Sequence, residues 1–251
     1  MADAADAKRI AVVTGASRGI GRAAALELAK TGHHVIAIAR TQGALEELDD
    51  EITSAGGSAT LAPLDITDGD ALNRLGLSLY ERYGRVDVLV GNAGVLGPLS
   101  PLSHVDPKRW DEVMRVNVDA NWRLVRSLDP LLRQSPAGRA VFVTSGAAHK
   151  CRAYWGPYAV SKAALEVMIR TYAAETVTTS NVRVNLLNPG PLRTRMRAQA
   201  MPGEDAMTLK TPEDLAPFLV ETVLPSQTRS GLIYDFPTDD WLVPQMPLPE
   251  A

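Results

Sequence analysis

Cysteine is almost absent. Cys151 is the only one, so no disulfide can close within the chain. Histidine is scarce as well: there are four, and no two stand in a spacing that suits a metal, so no zinc site is expected. The adjacent His33 and His34 read as a solvated turn between a helix and a strand. Charge of one sign is not in excess. The formal net charge of −3 favours neither nucleic acid nor an anionic membrane as a partner. No apolar run reaches the ~20 residues a membrane span needs, and the opening MADAADAK is too short and polar for a signal peptide. Linkers rich in Gly, Ser or Pro, internal repeats and low-complexity tracts are missing too. These absences lead to the expectation of one cytoplasmic domain over residues 1–251, in a reducing compartment.

What is present is an alternation. Short apolar runs at Ile10–Thr14, Val35–Ala39, Ala59–Leu64, Val86–Val90, Ala140–Thr144, Val182–Leu187 and Leu232–Phe236 read as strands. Between them, helical spacing runs to Lys30, over Leu45–Ser54, over Arg109–Leu132 and over Tyr158–Val177. Strands separated by helices pair in parallel through right-handed crossovers. Strands buried on both faces are apolar throughout, as these are. The expected fold is α/β, a Rossmann-type doubly wound parallel sheet with helices on both faces. Residues 191–211 have weak periodicity and read as a mobile substrate flap. Helix resumes at Thr211-Pro212-Glu213-Asp214, with a capping threonine, a first-turn proline and acids.

Two groups of residues carry chemistry. The first is Thr14-Gly15-Ala16-Ser17-Arg18-Gly19-Ile20-Gly21, between the first strand and the first helix. Glycines there permit a tight turn and close backbone approach to a pyrophosphate at the positive helix end. The second is Tyr158 with Lys162, four apart and so on one helix face. A phenol with a pKa near 10 is a poor base at neutral pH, and a neighbouring ammonium favours its phenolate. Tyr158 can then exchange a proton with an alcohol or alkoxide oxygen. Ser145 ends a strand at the same edge of the sheet, where its hydroxyl can hold that oxygen as charge develops. Each residue alone has an ordinary structural explanation. Their order after a cofactor turn favours catalysis.

The spacing GxxxGxG, rather than GxGxxG, is where the chain resembles the short-chain dehydrogenase/reductases, whose motif is TGxxxGIG. The resemblance continues through Leu64-Asp65-Ile66-Thr67, Asn92-Ala93-Gly94, Val116-Asn117-Val118, Ser145, the YxxxK pair Tyr158/Lys162, and Pro189-Gly190 with Thr194, covering about residues 8–236. It implies a catalytic set of Asn117, Ser145, Tyr158 and Lys162. It also implies a nicotinamide dinucleotide held by Gly15, Ser17, Arg18, Gly19, Ile20, Gly21, Asp65, Ile66, Asn92, Ala93, Gly94, Tyr158, Lys162, Pro189, Gly190 and Thr194. In that family Asp65's counterpart touches adenine, Lys162's holds the nicotinamide ribose, and Asn117's anchors a water leading to solvent. The resemblance further implies a homodimer or homotetramer built on the helix from Tyr158.

The dinucleotide type is read from the second strand. An acid at its end binds the ribose 2′-hydroxyl of NAD. Here the strand closes Ile38-Ala39-Arg40, and Arg18 lies in the glycine turn, so two guanidinium groups suit the 2′-phosphate of NADP(H). The expected activity is hydride transfer between NADP(H) and a small carbonyl or alcohol. Met196, Met201 and Met207, with Tyr154 and Trp155, suggest a partly apolar pocket. The ending departs from the family's Asp-Gly-Gly: the chain reads Leu232-Ile233-Tyr234-Asp235-Phe236-Pro237, and the proline-bearing tail from Trp241 to Ala251 is expected to be irregular. Two alternatives stand beside the enzyme. One is a cofactor-binding regulator, which has no need of the acid/base pair. The other is a sugar-nucleotide epimerase or dehydratase, which needs a longer C-terminal substrate domain.

Overall fold

The structure is a computed structural model that describes residues 8–244. Its framework is one eight-stranded sheet in the order β3-β2-β1-β4-β5-β6-β7-β8. The strands are β1 (Ile10–Thr14), β2 (His34–Ala39), β3 (Ser58–Pro63), β4 (Val88–Gly91), β5 (Arg139–Val143), β6 (Arg183–Asn188), β7 (Ile233–Asp235) and β8 (Asp240–Leu242). All pairings are parallel except β7 with β8. The helices are α1 (Gly19–Lys30), α2 (Gln42–Ser54), α3 (Gly69–Tyr83), α4 (Pro107–Met114), α5 (Ala120–Gln134), α6 (Ala147–Lys150), α7 (Gly156–Val177), α8 (Arg195–Ala200) and α9 (Pro212–Glu221). The expected doubly wound fold is therefore present.

Period-two alternation along each strand feeds two separate cores. Ile10 and Val12 join Ile36, Leu89 and Phe142 in the core that also takes Leu124, Leu128, Leu165 and Ile169 from α5 and α7. Ala11 and Val13 point the other way and join Leu28, Leu48 and Leu219 from α1, α2 and α9. Each fully buried leucine contributes about 1.5–3 kcal/mol relative to exposure. The order reverses between β1 and β4, so the loops after those two strands diverge to open a crevice at the carboxyl edge.

Three local expectations are corrected: the histidine pair, the unbroken helix over Arg109–Leu132 and the irregular tail from Trp241. His33 and His34 are not a solvated turn. His33 is buried with Nδ1 3.1 Å from the Leu28 carbonyl, and His34 lies in β2 with Nε2 2.8 Å from Thr60 Oγ1. Desolvation on burial holds both imidazoles below their ordinary pKa. The helix read over Arg109–Leu132 is α4, a π turn at Arg115–Asp119, and α5. The flap at 191–211 carries α8, a bridge between Leu192 and Lys210, and an Arg197–Glu204 pair at 2.5 Å. The capping box read at Thr211 is present, with Asp214 accepting from the Thr211 N–H. In the tail, Asp240–Leu242 forms β8 because it finds β7 as a partner, whereas 245–251 lies outside the described residues. No helix among the described residues is long and apolar enough to cross a membrane.

Candidate active site

The crevice begins with the turn between β1 and α1. Gly15 (φ +66°) and Gly19 (φ +54°) hold left-handed conformations that side chains resist. A Cβ on Gly21 would stand 2.3 Å from the Gly15 carbonyl oxygen, so only glycine lets α1 start this close to the turn. α1 has no side-chain cap and no acid in its first turn, which leaves its first N–H groups facing the crevice. Thr14 ties this turn to the loop after β4. Its hydroxyl accepts from Asn92 N–H (2.9 Å) and Ala93 N–H (3.1 Å), while Asn92 Nδ2 donates to the Thr14 carbonyl (2.9 Å). This glycine cradle at a helix N-terminus fits the pyrophosphate of a dinucleotide.

Arg18 and Arg40 are both exposed beside the turn, and neither forms an ion pair among the described residues. Arg22, by contrast, is engaged by Glu51. Ile66 is buried below the β3 end. Asp65 is exposed, and its Oδ1 accepts from both the Thr67 N–H (2.9 Å) and hydroxyl (2.8 Å). Desolvation raises the Asp65 pKa, but those bonds and the Arg40 and Arg115 charges outweigh it, leaving the carboxyl below its ordinary value.

Deeper in, Ser145, Tyr158, Lys162, Asn92, Gly94, Pro189, Gly190, Thr194 and Ile20 line one cavity. Ser145 follows β5 and its Oγ accepts from the Ala147 N–H at 3.2 Å. Tyr158 is buried in the first turn of α7. Burial pushes its phenol above the ordinary value, and the Ser145 hydroxyl pulls the other way. Lys162 donates from Nζ to the Val143 carbonyl at 2.8 Å and stands 5.8 Å from the centre of the Tyr158 ring. Burial lowers the Lys162 pKa to about 8, against the raising effect of Glu166. Burial thus pushes the Tyr158 phenol up, where the motif alone led to the expectation of a phenol drawn down.

Asn117 does not line the cavity. It is fully buried behind Gly94, where a Cβ would lie 3.2 Å from Asn117 Oδ1 and 3.6 Å from Lys162 Nζ. Its Oδ1 accepts from the Val95 N–H (2.8 Å), and its Nδ2 donates to the Val95 carbonyl and to Ser161 Oγ, both at 2.9 Å. The π turn swings this amide onto the loop, a distortion helices adopt where a side chain has a special task. Gly190 (φ +64°) and Asn188 shape the loop after β6, and Thr194 caps α8. Thr194 Cγ2 lies 3.7 Å from where a Gly19 Cβ would be, so the flap reaches the glycine turn.

Trp155 and Met196 join the wall as expected, whereas Tyr154 and Met207 are exposed away from it. The sequence reading missed Leu96, Leu192 and Arg197, which complete that wall. No local pattern distinguishes them. It also missed Thr14 as the clamp between two loops, although Thr14 opens the glycine motif. Asp235 accepts from Asn188 Nδ2 (2.6 Å) and Thr238 Oγ1 (2.7 Å), so without its glycines it serves to brace the loop after β6.

Comparison with known proteins places these features in a group. Residues 9–205 match the family model described as short chain dehydrogenase. The uncharacterized oxidoreductase YciK of Escherichia coli K12 is 38% identical over 231 residues, covering 90% of this chain and 91% of that protein. An NADPH-dependent pterin aldehyde reductase of Arabidopsis thaliana is 33% identical, covering 82% of this chain and 84% of its own. A short chain dehydrogenase of Shigella flexneri 2a, solved with NADP, superposes with a TM-score of 0.86 at 38% identity, covering 90% of this chain and 96% of its own.

Proposed function

This chain belongs to the short chain dehydrogenase family, and from that premise we propose that it is an NADP(H)-dependent oxidoreductase acting on a small carbonyl or alcohol, with Tyr158 as general acid/base. The observation that carries the reading is the shared cavity of Ser145, Tyr158 and Lys162 at the crevice edge. NADP in the Shigella relative and NADPH dependence in the Arabidopsis relative support the cofactor. Gly15, Ser17, Arg18, Gly19, Ile20 and Gly21 would hold the pyrophosphate. Arg18 and Arg40 would take the 2′-phosphate. Asp65 and Ile66 would flank adenine, while Asn92, Ala93, Gly94, Pro189, Gly190 and Thr194 would bound the nicotinamide side. When bound, the dinucleotide supplies or accepts the hydride.

The chain's own residues do the rest. Ser145 orients the substrate oxygen. Tyr158, whose phenol burial holds further on the protonated side, gives that oxygen a proton in reduction. Lys162 holds positive charge beside the phenol and the ribose. Asn117 pins the loop after Gly94 and helps lead the replacing proton inward. Leu96, Trp155, Leu192, Met196 and Ala200 suit a partly apolar substrate. The test is NADPH oxidation across ketones, aldehydes, quinones and 3-oxoacyl thioesters. At least one class should turn over. Tight NADPH binding with no turnover of any class would instead identify a cofactor-binding regulator.

We also propose a homo-oligomer of single-domain chains in the cytoplasm. α5 exposes Trp122, while α7 exposes Val160 and Val167 (62% exposed). Large apolar groups left on two adjacent long helices suit a second copy of the same surface. Light scattering at micromolar concentration should give at least twice the chain mass of 27.0 kDa. A monomeric mass would refute the assembly.

A further inference from the structure

One buried charge in the site region has no part in the reading above. Glu166 lies one turn beyond Lys162 on α7 and is 4% exposed. An isolated carboxylate is too costly to desolvate, so its partners matter. Glu166 Oε1 accepts from the Thr144 hydroxyl at 2.6 Å, and Oε2 lies 2.7 Å from His149 Nε2. Thr144 is the residue before Ser145. His149 sits on α6, within the loop that joins Ser145 to Tyr158, and its side chain is 63% exposed. The carboxylate thus ties the end of β5 next to Ser145, and α6, to the helix that carries Tyr158.

We propose that Glu166 is a positioning residue: its carboxylate anchors the Ser145 end of β5 and α6, and sets a negative charge one turn from Lys162 on the same helix. The inference rests on the oxidoreductase reading for its consequence, not for its geometry. The head of Lys162 donates to the Val143 carbonyl and lies beside Gly94, and the other titratable group near it is Tyr158, whose ring centre is 5.8 Å away. The titratable groups facing Glu166 are Lys162 on its own helix and His149 on α6. The end of β5 offers it only the Thr144 hydroxyl. Lys150, next on α6, is exposed, and Arg170, one turn on along α7, reaches towards the Pro244 carbonyl. Removing the carboxylate charge leaves the burial of Lys162 unopposed.

The decisive variant is Glu166→Gln, which keeps the shape and an acceptor for Thr144 but removes the charge. An opposite charge one helical turn away favours the charged form of an ammonium, with a shift on the order of one unit. Selectively 13C-labelled lysine, followed by NMR in the cofactor-free protein, should show Lys162 titrating lower by about that amount. The alkaline limb of kcat/KM for carbonyl reduction should move down with it. Glu166→Asp keeps the charge but, one methylene shorter, draws the carboxylate back from Thr144 and His149. It should lower kcat yet leave the Lys162 titration close to that of the unmodified protein, and it serves if the glutamine variant does not fold. An unmoved Lys162 in Glu166→Gln, or an equal downward shift in Glu166→Asp, overturns the inference. Because the lysine titration needs no turnover, a protein inactive on every carbonyl class would sink the oxidoreductase reading and leave this measurement standing.

Discussion

Replacing Tyr158 with phenylalanine is expected to lower kcat for carbonyl reduction by about 10²–10⁴-fold, the worth of general acid–base catalysis. The NADPH dissociation constant should change little. The substitution removes one hydroxyl from a buried ring that packs with Leu96, Trp155 and Ala200. The ring contacts remain, so the pocket keeps its shape. A phenol carries its proton at neutral pH, and burial pushes this one further above its ordinary pKa, so the proton that the developing alkoxide needs is in place. Lys162, lowered to about 8, holds its charge below that pH and loses it above. Reduction by the unmodified protein should therefore weaken as pH rises through about 8. Steady-state kinetics paired with fluorescence titration of NADPH separates chemistry from binding. A phenylalanine variant with near-normal kcat would remove Tyr158 from the mechanism.

NADPH should be used better than NADH by about 10²-fold or more in kcat/KM. A hydrogen bond to a charged group contributes roughly 1.5–3 kcal/mol, and every 1.4 kcal/mol is about tenfold. Arg18 and Arg40 are the two cations beside the glycine turn that no described carboxylate pairs with, whereas Arg22 is already held by Glu51. Both are solvent-exposed, so salt screens part of the gain. Arg40 follows β2 and is near enough to Asp65, which follows β3, to help depress its carboxyl. Ala39→Asp with Arg40→Leu should erode or invert the preference, since a carboxylate repels the phosphate and accepts from ribose hydroxyls. Ala39 is buried, so thermal unfolding of the double variant should accompany the kinetics. Equal kcat/KM for the two cofactors in the unmodified protein, at one ionic strength, would reduce both arginines to surface charge.

Several features were readable from the chain because they depend on neighbours in sequence. Alternating apolar runs such as Ile10–Thr14 declare strands buried on both faces. The close glycines from Gly15 to Gly21 declare a turn no side chain permits. Tyr158 and Lys162, four residues apart on a helix, share a face wherever that helix goes. The Thr211 capping box is local by construction, and it formed as read. Family, fold and the crevice edge all follow from signals of this range.

Other features were decided only when distant segments met. The π turn at Arg115–Asp119 leaves no period in the sequence, because its cause is the Val95 backbone, which Asn117 must reach from another element. His33 and His34 look like any polar pair at a turn, yet one is packed against α1 and the other is drawn into the β2–β3 ladder by Ser58, Thr60 and Tyr83. The tail segment Asp240–Leu242 has no strand pattern of its own and becomes one by pairing with β7. The direction of the Tyr158 pKa is the sharpest case. The sequence supplies the neighbouring ammonium, which favours phenolate. Only packing supplies the burial that pushes the phenol up, because desolvation depends on everything around a group and a motif records only its nearest neighbours along the chain.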